Sequence, residues 1–137
     1  MGLSYFFVLS VLLYSGIQKL CVMNTLKNNV QLIGNLGQDV ELITFDSGMH
    51  KANMRLATND YYKNNDGEKV QQTEWHNLIA WGKRAETMSK LLKKGNEIAV
   101  QGKLTHRSYQ DKDGVTRYTS EVVVQEFLKI TKEDLPF

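Results

Sequence analysis

The segment Thr73-Glu74-Trp75-His76-Asn77-Leu78-Ile79-Ala80-Trp81 carries the two tryptophans of the chain, six positions apart. Six is even, so in an unbulged strand both indoles project from one face, about 20 Å apart, while Leu78 and Ala80 point the other way and can feed a core. Lys103, Arg107 and Tyr109 share parity along a second segment, which sets two cations and a ring on one face. Tyr61-Tyr62-Lys63 places another ring beside another cation. Flat rings accept flat π partners, and cations accept anions. Single-stranded nucleic acid offers both in alternation, and each base stacked on a ring contributes about 1–3 kcal/mol with little dependence on base identity. The competing reading is that these rings serve the core or a subunit interface, where large aromatics are usually much buried. One observable separates the two readings: the exposure of the rings.

Other chemistries lack their residues. His50, His76 and His106 are scattered, with no histidine pair at ligand spacing beside a carboxylate, so no metal site is expected. Cys21 is the single cysteine, which leaves no intrachain disulfide and no cysteine-based zinc site and suits a reducing, cytoplasmic setting. Asp111-x-Asp113-Gly114 resembles the start of a calcium loop, yet Val122 stands where the bidentate carboxylate belongs, so the segment reads as a turn. Gly-x-Ser-x-Gly, Gly-Lys-Thr/Ser and Gly-x-Gly-x-x-Gly are all absent. A catalytic residue and a cofactor are therefore not expected, and a nuclease on this scaffold is the weakest alternative. Gly34-Asn35-Leu36-Gly37 reads as a strand end with two turn glycines.

The elements that must position these groups are legible as β-rich runs: Asn29 to Leu36, Val40 to Phe45, Lys51 to Tyr62, Thr73 to Trp81, Glu97 to Tyr109 and Arg117 to Ile130. Turn clusters ending in Gly48, Gly67 and Gly114 separate several of them and suit positive φ. Between two of these runs, Lys83 to Lys94 has helix formers, with Ala85, Met88, Leu91 and Leu92 at helical spacing and Gly95 placed as a C-terminal cap. Lys90, Lys93 and Lys94 would then complement the helix dipole rather than form a nucleic-acid patch. About five strands with one inserted helix is the order of an OB-fold, a five-stranded Greek-key barrel. The fold class is all-β with one helix.

Length and charge agree. The 137 residues fit one domain, and 42% hydrophobic with 23% charged residues is ordinary for a globular chain. A net charge of +2 makes placement, not bulk basicity, the argument for a nucleic-acid partner. Residues 1–22 stand apart as an apolar extension: Met1 to Gln18 carries no charged side chain. The favoured reading is upstream codons before a start at Met23. The competing reading is a membrane or signal-like segment, although the stretch is short of the about 20 apolar residues of a span and lacks a basic opening or a small-x-small cleavage site.

Gly34-Asn35-Leu36-Gly37-Gln38-Asp39, Leu56-Ala57-Thr58, Gln72-Thr73-Glu74-Trp75-His76, Gly82-Lys83 and Arg117-Tyr118-Thr119-Ser120-Glu121-Val122-Val123-Val124 together resemble the bacterial single-stranded DNA-binding protein family over about Asn24 to Ile130. The resemblance implies an OB-fold domain over residues 23–130, a homotetramer, and single-stranded DNA wrapped over aromatic platforms in replication, recombination and repair. By position, Trp75 and Tyr109 match stacking tryptophans of the family, Trp81 a stacking phenylalanine and Tyr62 a further stacking tryptophan. Lys83 and Arg107 match basic DNA-contacting residues, Lys103 and Arg117 are placed with them toward phosphate, and Asn77 replaces a usual arginine. Within residues 131–137, Glu133-Asp134-Leu135-Pro136-Phe137 resembles the family's acidic docking tip for genome-maintenance proteins, in which two acids and a terminal carboxylate meet a basic rim while Phe137 fills an apolar pocket. Only Thr131 and Lys132 stand where the family has a long linker. The alternative function is an accessory paralogue of a replication or mobile-element complex with weak DNA binding.

Overall fold

The computed structural model describes residues 26–131, so the extension at 1–22 and the docking tip at 133–137 lie outside the described residues. The elements are β1 (Val30–Leu36), β2 (Glu41–Thr44), β3 (His50–Lys63), β4 (Lys69–Trp81), α1 (Lys83–Leu91), β5 (Glu97–Gln110) and β6 (Thr116–Lys129). Neighbours run β1-β5-β6-β4-β3, and β3 returns to β1 through Asn35↔Ala57 and Leu36↔Leu56, which closes a five-stranded barrel. The short β2 pairs along β3 outside that ring of strands. All pairs are antiparallel except β4 with β6, which run parallel through Leu78↔Val122. This is the OB-fold order, with the helix between the third and fourth barrel strands.

Closure requires one strand to give way. A register shift falls between Gln101 and Gly102 on β5, and a Cβ at Gly102 would stand 2.1 Å from the Val123 carbonyl oxygen. Only glycine admits that approach, and the bulge bends β5 around the barrel. Inside lie Leu36, Ala52, Met54, Leu56, Leu78, Ala80, Ile98, Val100, Val122 and Val124, all at alternate positions of their strands. α1 adds Ala85 and Met88 to this core, and Leu92 follows them in. The expected turn glycines Gly48, Gly67 and Gly114 have φ of 82°, 79° and 76°.

The helix is shorter than its composition suggests. It stops at Leu91, and Leu92 is already extended at φ −109°, ψ 140°. The cause is packing: Leu92 is buried while Leu91 is exposed, so the chain leaves the helix to place one leucine in the core. Gly95 is therefore not the helix cap; it takes its positive φ in the turn that follows, where its N–H donates to the Leu36 carbonyl at 2.8 Å. Lys90 remains in the last helical turn, whereas Lys93 and Lys94 lie beyond it.

Candidate nucleic-acid interface

Strand register assembles the site. β3 and β4 pair one residue per step from Lys51↔Trp81 through Arg55↔Asn77 and Ala57↔Trp75 to Lys63↔Lys69. With no bulge, Trp75, Asn77, Ile79 and Trp81 share one face with Lys51, Asn53 and Arg55. The β4–β6 and β5–β6 registers extend this face, because Asn77 and Thr105 both pair with Glu121 and Ile79 and Lys103 both pair with Val123. Arg107↔Thr119 and Tyr109↔Arg117 complete it. Trp75, Trp81, Lys103, Arg107, Tyr109 and Arg117 thus lie on the side opposite the core residues. Lys83 opens α1 two positions after Trp81 and is also exposed.

The rings stand open. Trp75 is 51% exposed, Trp81 43%, Tyr109 48% and Tyr62 52%. Tyr62 pairs with Val70, however, and has the opposite parity from Trp75; the tyrosine that shares the tryptophan parity is Tyr61, whose ring lies 4.2 Å from Lys69 Nζ. At the other end of the face Trp81 has an aromatic neighbour that sequence reasoning missed: Phe45, near-parallel to it with centroids 6.3 Å apart. Phe45 follows β2, which lies across β3 from β4, and nothing in the local pattern signals that its ring reaches over to Trp81.

Between the tryptophans runs a groove of ≈ 340 Å³ whose charged lining is Lys51, Arg55, Arg107 and Glu121. Three cations against one carboxylate make it a place for anions. Arg107 Nη2 donates to the nearly buried Glu121 Oε1 at 2.8 Å, so part of its charge offsets that acid. Arg117 Nε donates to Asp111 Oδ2 at 2.9 Å and ties its strand to the β5–β6 turn. Both arginines stand on the expected face, yet each has an internal carboxylate partner. The Arg117 guanidinium beside Asp111 holds that carboxyl below its usual value, with help from the Val115 and Asp113 N–H groups.

Two further groups escaped the sequence reading. Arg55 lies over the Trp75 ring at 5.2 Å from its centroid, and Lys51 over Trp81 at 5.5 Å. Gly37, expected as a turn glycine, is not at positive φ. Its role is clearance: a Cβ there would stand 2.2 Å from Trp75 Cζ3 and 2.7 Å from Cη2. The histidines remain separate, bonded to Thr44, Thr58 and Ser120 respectively. Among the described residues no three of His, Cys, Asp or Glu are grouped to hold a metal ion, and no helix is long and apolar enough to cross a membrane.

A closed barrel whose second and third strands, β3 and β4, present rings and cations on an open face has the architecture of the OB-fold proteins that bind oligonucleotides or oligosaccharides there. The sequence profile of the Single-strand binding protein family matches residues 27–130. The chain belongs to that family. It is 39% identical over 107 residues to Single-stranded DNA-binding protein 1 of Xylella fastidiosa (strain 9a5c), covering 77% of this chain and 79% of the relative. Among solved structures, the Plasmodium falciparum SSB in its complex with ssDNA is similar in fold at a TM-score of 0.69 and 24% identity, covering 76% of this chain and 95% of that one. A deletion mutant of the single-stranded DNA binding protein from Thermus aquaticus gives a TM-score of 0.67 at 27% identity, covering 77% and 51%.

Proposed function

We propose that the chain binds single-stranded DNA without sequence preference, stacking bases on Trp75, Trp81 and Tyr109 across the open face and on Tyr62 on the other side of the β3–β4 ribbon, and meeting phosphates with Lys83, Lys103, Arg107 and Arg117. The observation that carries this reading is the openness of all four rings, each with about half its surface free, on a barrel whose interior is complete without them. Every base has a π face, so ring stacking holds a strand whatever its sequence. The names of the Xylella and Thermus relatives and the bound strand in the Plasmodium complex support the same ligand. The protein acts by holding and shielding the strand, with no chemical step. We place it in the cytoplasm as a homotetramer serving replication, recombination and repair, with residues 133–137 docking partner proteins. Titration with oligo-dT tests the binding claim: tryptophan emission is expected to fall on saturation, and unchanged emission with no binding at low salt overturns it. Pull-down of replication proteins with and without Phe137 tests the docking tip, and sedimentation gives the assembly.

A further inference from the structure

Lys51 and Arg55 are the two groove cations without a carboxylate partner, since the ion pairs among the described residues are His50–Glu86, Arg107–Glu121 and Arg117–Asp111. Each lies instead over one tryptophan ring, within the reach of a cation–π contact. Arg55 pairs in register with Asn77, whose own side chain is neutral and reaches Thr119 at 3.5 Å. The face between the tryptophans therefore draws its uncommitted positive charge from β3, not from β4. A base arriving on Trp75 or Trp81 must share or displace the cation already there, and the phosphates that flank that base supply a stronger partner for it. A guanidinium or ammonium gains more from a phosphate oxygen than from an exposed ring.

We propose that Lys51 and Arg55 are phosphate-binding residues that cap the tryptophans in the free protein and move to the backbone of the strand when bases take the rings. This rests on the single-stranded DNA reading above and names the phosphate contacts within its groove. Both side chains sit on the outer face, away from the core, so neutral substitutions leave the fold intact. The experiment measures oligo-dT affinity across a salt series for the wild type, for the double variant Lys51→Gln/Arg55→Gln, for Arg55→Lys, and for Lys90→Gln on α1 as a charge-loss control outside the groove. Two lost phosphate contacts on a single strand lower the slope of log K against log salt by about 1.4. Between 50 and 200 mM salt the double variant then loses about sevenfold less affinity than the wild type. Arg55→Lys is expected to keep the wild-type slope, and so is Lys90→Gln. A double variant that binds with an unchanged slope overturns the proposal and leaves the cations as braces for the rings. A wild type that fails to bind oligo-dT at low salt overturns the binding reading itself, and this proposal with it.

Discussion

At the scale of single residues, the decisive contact is between Trp75 and a glycine. Adding a methyl group at Gly37 puts a carbon well inside van der Waals contact distance of the indole, 2.2 Å from Cζ3. The backbone cannot simply retreat, because the Gly37 N–H donates to the Arg55 carbonyl at 2.9 Å. The ring must therefore turn, and a platform that turns loses its base. Gly37→Ala is expected to weaken oligo-dT binding by about the value of one stack, 1–3 kcal/mol, with little change in thermal stability because the ring is half exposed. Trp75 emission followed in a Trp81→Phe background reports the displacement directly, and unaltered affinity would show that Trp75 is not a platform. Parity alone was enough to put Trp75 with Trp81, and Lys103 with Arg107 and Tyr109, on one side of their strands. It could not find Gly37, Lys51 or Arg55, because their partners are set by cross-strand register and by approach distance, neither of which is a local property. The same gap explains Tyr61 and Tyr62, adjacent residues whose sides are assigned only by pairing with Gln71 and Val70.

At the scale of elements, the β5–β6 hairpin shows how a turn governs a binding side chain. Asp111 accepts from the Asp113 and Val115 N–H groups, both at 3.0 Å, and from Arg117, so one carboxylate organises the turn and restrains a cation of the open face. Its lowered pKa fixes the sign: the stabilisation is fully present above the ordinary carboxylate range and is lost as pH falls through the depressed folded value. At neutral pH the pair is intact. Asp111→Asn keeps an oxygen for the turn but discharges the pair, which frees Arg117. The expected result is a steeper salt dependence of oligo-dT binding, by up to about 0.7 in the log–log slope, because Arg117 then commits to phosphate the charge it shares with Asp111 in the wild type; an unchanged slope overturns the phosphate role given to Arg117. The turn itself was legible from Asp111-Lys112-Asp113-Gly114, as were, to within one residue, the ends of the strands it joins. The end of α1 was not, since Leu92, Lys93 and Lys94 are acceptable helix formers and only the demand of the core for Leu92 decides against them.

At the scale of the whole molecule, stability and binding are carried by alternate residues of the same strands. Met54 is fully buried and Arg55, its neighbour in sequence, faces the groove. Met54→Ala opens a cavity in a packed interior and is expected to cost about 2–5 kcal/mol of unfolding stability, read from urea denaturation. If the outer face is a surface laid on an independent barrel, the salt slope of oligo-dT binding by Met54→Ala, measured where the variant is folded, stays at the wild-type value. Conversely Arg55→Gln shifts the slope and leaves the urea midpoint almost unmoved. The double variant should show both changes at once, close to additive, because the two side chains point to opposite sides of β3 and share no partner. A slope that fell with Met54→Ala alone would mean that the core sets the spacing of the tryptophans. The five-stranded closure is what allows this separation: once β3 returns to β1 the interior is sealed, and the outward residues are free to be chosen for what they hold.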